Sequence, residues 1–195
     1  VAEIVRIYGA IGGVPAYLDK WDAAKSFKDN ICRLVLTPSG ALYGEADAVI
    51  SAELRELSAY STILAAIARG ENKLNDIFHA TGFSRAKISV YLKNLANFNI
   101  VEKVVSFETG GWENAKKGVY QIKDTFVNFW FKFVYPNMSN LYLLSPEEFY
   151  DTYIEKELDA YLERYFREVC TEYLLILNQM GQLPFTIKRV GTWIG

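Results

Sequence analysis

Between residues 58 and 124 the apolar residues change from a helical to a strand period, with a turn signal at each junction. Tyr60, Ile63, Leu64 and Ile67 fall at i, i+3, i+4 and i+7, one face of a helix that Ser58 can cap and Gly70 can end. Asn72 can cap a short second helix buried through Leu74, Ile77 and Phe78. Thr81-Gly82-Phe83 reads as a tight turn, and Ser84 opens a third helix with Ile88, Leu92 and Leu95 on its inner side. From Ile100 to Phe107 the chain is rich in valine and reads as a strand, with Gly118 to Lys123 as its partner. The ten residues between, 108–117, hold Gly110, Gly111, Trp112, Lys116 and Lys117.

Three short helices, a glycine turn before the third, and a hairpin with a basic loop make up the order of a winged helix-turn-helix. In that arrangement the third helix enters the major groove of DNA, with its first residues nearest the base edges. The outward side of this helix offers Ser84, Arg85, Lys87, Ser89 and Lys93. Arg85 suits guanine edges or phosphate, while Lys87 and Lys93 suit phosphate. Ser84 and the free N–H groups of the first turn can hold a further phosphate. On the hairpin loop, Lys116 and Lys117 can reach the neighbouring groove or backbone, with Trp112 bracing them.

Charge is divided along the chain in a way that fits one DNA-facing part. The formal net charge is −2, too acidic for a protein that lies on nucleic acid along its whole length. From Glu71 to Lys123, however, eight bases face five acids, whereas Glu147 to Glu172 is strongly acidic. The same helices could instead hold a protein partner, with the lysines merely solvated.

The flanking segments read as helices. Residues 1–11 have a helical pattern stopped by Gly12-Gly13, and Pro15 suits a helix start. Ser26 and Asp29 resemble a capping box, and a further helix is expected over Glu45 to Leu57. Asp124 can cap an aromatic helix (Phe126, Phe129, Trp130, Phe131, Phe133), apolar on nearly every side and so expected between packed modules. Ser145-Pro146-Glu147-Glu148 starts a long helical region to Gln179, and Leu183 to Val190 reads as the start of a strand. The expected fold class is mainly α: a helical lid-like segment over 1–57, the winged helix with its aromatic helix over 58–135, and a helical segment over 136–195.

Several chemistries lack their residues. Cys32 and Cys170 are far apart and match no metal-ligand spacing, which suggests free thiols and a reducing, cytoplasmic setting. His79 is the only histidine and has no partners for a nucleophilic triad. No G-x-x-x-x-G-K-[ST] loop is present. The apolar run from Phe126 to Tyr135, interrupted by Asn128 and Lys132, is about half a membrane span, so no membrane partner is expected. Val1-Ala2-Glu3 lacks a signal-peptide start, and without an initiator methionine the chain reads as a fragment.

A family resemblance adds to this. Gly12-Gly13-Val14-Pro15-Ala16-Tyr17-Leu18, Leu42-Tyr43, Tyr60 to Gly70, Tyr91-Leu92-Lys93-Asn94-Leu95, and Val119-Tyr120 leading to Phe129-Trp130-Phe131-Lys132-Phe133-Val134-Tyr135-Pro136 occur in this order. In that order they resemble archaeal-type P-loop ATPases of prokaryotes, AAA+/STAND-like proteins with a helical lid, a winged helix and a C-terminal domain. The resemblance implies an upstream ATPase core that would bind ATP and Mg²⁺; the chain itself carries no cofactor site and no enzyme centre. It places Gly13 and Pro15 near the nucleotide of that core. It also implies a restriction-endonuclease-type C-terminal domain, in which Glu168 is the nearest match to a catalytic glutamate, while the other acidic and lysine positions would lie beyond Gly195. The expected function is therefore the DNA-binding portion of an ATP-dependent ATPase, with double-stranded DNA and its own ATPase core as partners and a homo-oligomer compatible with the family. The alternatives are a protein-interaction module within such an ATPase and a fragment of a freestanding transcription regulator.

Overall fold

Serine caps set the helix starts that were clearest in the sequence. Ser26 accepts a hydrogen bond from the Asp29 backbone N–H at 3.1 Å, and the Asp29 carboxylate accepts from the Ser26 N–H at 3.3 Å, a reciprocal pair that opens a helix at Phe27. Ser145 and Glu148 repeat the arrangement at 3.2 and 3.0 Å, with Pro146 in the first helical position. The computed structural model of the chain describes residues 2–52, 54, 56–107 and 118–193.

The element order is α1 (Ala2–Ile11), α2 (Pro15–Leu18), α3 (Phe27–Ile31), α4 (Glu45–Ser51), α5 (Leu57–Ala68), α6 (Leu74–Thr81), α7 (Arg85–Asn97), β1 (Val101–Val104), β2 (Val119–Ile122), α8 (Thr125–Phe129), α9 (Met138–Leu141), α10 (Pro146–Tyr153) and α11 (Glu155–Gln179). The protein is mainly helical, and the sheet among the described residues is two-stranded and antiparallel, with Val101 opposite Ile122 and Val104 opposite Val119. Both α3 and α8 run on into a π-helical turn, Cys32–Leu36 and Trp130–Val134. In each the side chains at the turn are almost all buried, and the wider turn helps to spread them over more of the core.

One continuous core runs from Val5 to Tyr165. Phe126, Phe129, Trp130, Phe131 and Phe133 are buried, and α8 with its π turn lies among α1, α5 and β2. The aromatic helix is thus enclosed on nearly all sides, as its sequence requires. On one side of it α1 crosses α11 closely: a Cβ on Gly9 would run into the Leu162 Cδ2 methyl and crowd the Tyr165 ring, so a larger residue here requires Leu162 to shift. The Tyr161 hydroxyl donates to the Gly9 carbonyl oxygen at 2.9 Å, and Asn128 donates to the Tyr165 hydroxyl at 2.7 Å. Burial pushes the Tyr161 hydroxyl pKa well above its ordinary value, keeping it a neutral donor at this crossing.

Six expectations are corrected. The helix expected over 45–57 ends at Ser51, and the next begins at Leu57, so Ser58 lies inside α5 and caps nothing. Leu54 turns into the core between the two helices, which fixes the break. Asn72 does not cap α6, whose N-cap is Lys73; its carbonyl oxygen instead accepts from the Tyr120 N–H at 2.7 Å, tying β2 to the helices. The strands are four residues each, shorter than the valine-rich runs. The helical region after Ser145 is interrupted at Ile154, which is buried between α10 and α11. Leu183 to Val190 forms no strand, because its backbone turns to the end of α11, where the Ile187 N–H donates to Asn178 at 2.7 Å.

Candidate nucleic-acid interface

The turn between α6 and α7 follows from one glycine and one serine. Gly82 has φ +70°, a left-handed conformation costly for residues with a Cβ, and its N–H bonds the Phe78 carbonyl oxygen to close α6. Two residues on, Ser84 accepts from the Lys87 N–H at 3.2 Å and starts α7. Ile88, Tyr91, Leu92 and Leu95 are buried, which fixes the rotation of α7 about its axis. Ser84, Arg85, Ala86, Ser89, Val90 and Lys93 are consequently left exposed on one side.

Arg85 is held in place by its neighbours. Its guanidinium lies 4.0 Å from the centre of the Phe78 ring and donates to Asn75 Oδ1 at 2.5 Å. Stacking and one hydrogen bond restrain the side chain while leaving other N–H donors for a ligand. Ser89 and Lys93 follow on the same exposed side at one-turn and two-turn spacing. Between Arg85 and Asn97 the helix carries no carboxylate.

Lys87 points elsewhere. Its ammonium lies 3.7 Å from a Glu56 carboxylate oxygen, 4.6 Å from the Phe83 ring centre and 5.2 Å from that of Tyr91. Glu56 also accepts a short hydrogen bond from the Tyr91 hydroxyl, and that bond together with desolvation pushes the Tyr91 pKa up to about 12. Tyr91 stacks on Tyr60, whose hydroxyl accepts from Asn94 at 2.8 Å. Lys87 thus belongs to a cluster that joins α7 to the start of α5. The sequence missed this role, since it depends on the break after Ser51 that brings Glu56 alongside.

Lys116 and Lys117, with Trp112, lie outside the described residues. At the base of the hairpin, Lys103 lies 5.6 Å from the Tyr120 ring centre, and the Lys123 ammonium donates to Asn99 at 3.1 Å. His79 is exposed near the end of α6, edge-on to Phe78.

The residues expected near a nucleotide or in catalysis stand apart from this face. Gly13 and Pro15 are exposed at the start of α2, where the Tyr17 hydroxyl donates to Glu45 at 2.8 Å. Glu168 accepts from the Arg164 guanidinium at 2.7 Å on α11. Arg164 also donates to the Ile122 carbonyl oxygen at 2.8 Å and lies 3.6 Å from Glu102. This arginine, which no periodicity singles out, clamps α11 to both strands. Cys32 and Cys170 are free thiols, and burial pushes the Cys32 pKa up to about 12. Among the described residues, no group of three or more His, Cys, Asp or Glu side chains could hold a metal ion. No helix among them is long and apolar enough to cross a membrane.

Comparison with known proteins gives one relative along nearly the whole chain and one family match to its C-terminal part. The chain is 33% identical over 192 residues to an uncharacterized protein of Methanocaldococcus jannaschii, an alignment that covers 98% of this chain and 42% of that protein. The chain therefore spans less than half the length of this curated relative. No solved structure matches. Residues 130–194, which include α9, α10 and α11, match the domain family DUF234, described as archaeal and bacterial proteins of unknown function.

Proposed function

We propose that the chain docks on double-stranded DNA through the exposed side of α7, with residues 108–117 reaching the adjacent backbone. The observation that carries this reading is the face itself: Arg85, Ser89 and Lys93 on one side of a 13-residue helix without a carboxylate, behind a glycine turn. Arg85, oriented by Phe78 and Asn75, contacts a guanine edge or phosphate. Lys93 neutralises phosphate, and Ser84 and Ser89 donate hydroxyl hydrogen bonds. Lys87 serves mainly to hold α7 against α5.

The chain would be part of a longer AAA+/STAND-like ATPase, whose upstream P-loop core binds ATP and Mg²⁺ and moves the segment carrying Gly13 and Pro15. This wider reading is supported by the order of the phrases from Gly12-Gly13 to Tyr135-Pro136. A relative more than twice as long leaves room for such a core.

Backbone amide chemical shifts of the chain, followed while a 24-base-pair duplex is added, test the docking face. Perturbation concentrated at residues 84–93 is expected. Perturbation confined to α11 would overturn the assignment. For the intact polypeptide, ATP hydrolysis assayed with and without duplex DNA tests the coupling, and absence of hydrolysis under both conditions would remove the ATPase from the account.

A further inference from the structure

An aliphatic side chain stands in the middle of the polar face of α7. Val90 is 57% exposed, although the helix buries Ile88, Tyr91, Leu92 and Leu95 and has no shortage of apolar residues for its inner side. Those four anchors fix the rotation of α7, so Val90 has no alternative inward position. Its exposed surroundings are small or polar: Ala86 one turn before it, Ser89 beside it, and Lys93 three residues on. Arg85 and Lys93, eight residues apart, are separated by about 12 Å along the helix axis, comparable to the width of the major groove.

We propose that Val90, resting on the DNA-docking reading of α7, selects base pairs that present a C5-methyl group in the major groove, which in unmodified DNA means thymine. The argument is one of chemical complementarity. Valine cannot donate to or accept from a base edge, so opposite a cytosine amino group or guanine O6 it would leave a polar group dehydrated and unpaired. The thymine C5-methyl is the apolar group that a base pair shows on this side. Valine is β-branched and stiff at χ1, so its two methyls meet the groove in nearly one arrangement. Ala86 and Ser89 leave room for the helix backbone to come close to the base edges. Arg85 and Lys93 on either side bring charge to the groove without competing for the central position.

The test uses the whole chain and four fluorescein-labelled 16-base-pair hairpin duplexes at low salt, read by anisotropy. One duplex is alternating A·T; the second replaces each thymine with deoxyuridine, which lacks only the methyl. The third is alternating G·C, and the fourth carries 5-methylcytosine in place of cytosine. Burying one methyl corresponds to about fourfold in affinity. Wild-type protein should therefore bind the thymine duplex about fourfold more tightly than the uracil duplex, and the 5-methylcytosine duplex more tightly than its parent. Val90→Ala should bind thymine and uracil duplexes alike, near the affinity of wild type for uracil. Equal binding of each methylated and unmethylated pair by wild type overturns the inference while leaving DNA docking intact. A methyl preference that survives in Val90→Ala overturns the assignment to this residue. No binding to any of the four by folded protein overturns both readings together.

Discussion

The Arg164 guanidinium on α11 donates to the carbonyl oxygen of Ile122, the last residue of β2, at 2.8 Å. The same side chain bridges Glu168 at 2.7 Å and Glu102 at 3.6 Å, with only 22% of its surface exposed. A largely buried cation with two carboxylates and a carbonyl joins the C-terminal helix to the hairpin that follows the candidate recognition helix.

Replacing Arg164 with Met keeps the stem but leaves both carboxylates without their cation. Hydrogen bonds to charged groups contribute about 1.5–3 kcal/mol each, and partial exposure places the expected loss near the lower end, about 2 kcal/mol. Urea denaturation measures it. A change below about 0.5 kcal/mol would show that the clamp contributes little to stability.

Arg85 and Lys93 are the cations on the exposed side of α7. Arg85→Ala and Lys93→Ala should each weaken duplex binding and lower the log-log salt slope by about 1. Lys87→Ala should act chiefly on stability, since its ammonium is engaged with Glu56 and the Phe83 and Tyr91 rings. Titrations at several salt concentrations, paired with thermal melts, separate the two kinds of effect.

Gly82 stands at φ +70° between the helices. Gly82→Ala should cost about 1–2 kcal/mol, the penalty of a Cβ in the left-handed region, even though nothing lies within 4 Å of the new methyl. Gly82→Asn should cost less. If both variants melt with the wild type, the turn has relaxed to another conformation.

The winged-helix order was legible because each of its signals is local. Ser84 as a cap, Gly82 in the turn and the inner series Ile88, Leu92, Leu95 all act within a few residues of where they stand. The misread points depend on tertiary contacts. Asn72 looks like a cap, but its carbonyl oxygen is used by Tyr120, 48 residues away. The segment Leu183 to Val190 has strand composition but no partner strand among the described residues, and it bonds to Asn178 instead. On the candidate face, the charge pattern points to Arg85, Lys87 and Lys93, of which Lys87 turns instead to Glu56 and the Phe83 and Tyr91 rings. Val90 carries neither charge nor hydrogen-bonding group, so the charge pattern gives no signal for it, although the inner series Ile88, Leu92, Leu95 already places it outward.

The two capping boxes predict a response to acid. The hydrogen bonds from Ser26 and Ser145 hold the carboxyl pKa values of Asp29 and Glu148 below their ordinary values of 3.8 and 4.5. A carboxylate with a depressed folded-state pKa contributes stability that is present above its unfolded pKa and lost as pH falls through the folded one. The melting temperature of wild type should therefore fall more steeply below about pH 4.5 than that of Ser26→Ala/Ser145→Ala, which removes the two hydroxyl donors and keeps the backbone ones. Parallel profiles for the two proteins would contradict this attribution.

The central claim is that α7 meets DNA through its cations, and the salt dependence of binding tests it most directly. Fluorescence anisotropy with a short duplex of random sequence should give a log-log salt slope of roughly −2 to −5, as expected for a few phosphate contacts. An Arg85/Lys93 double alanine variant, which leaves the Lys87 cluster intact, should bind more weakly with a flatter slope. No binding at low salt by folded wild-type protein, or equal slopes for both proteins, would contradict the account and favour a protein-interaction role for this helix.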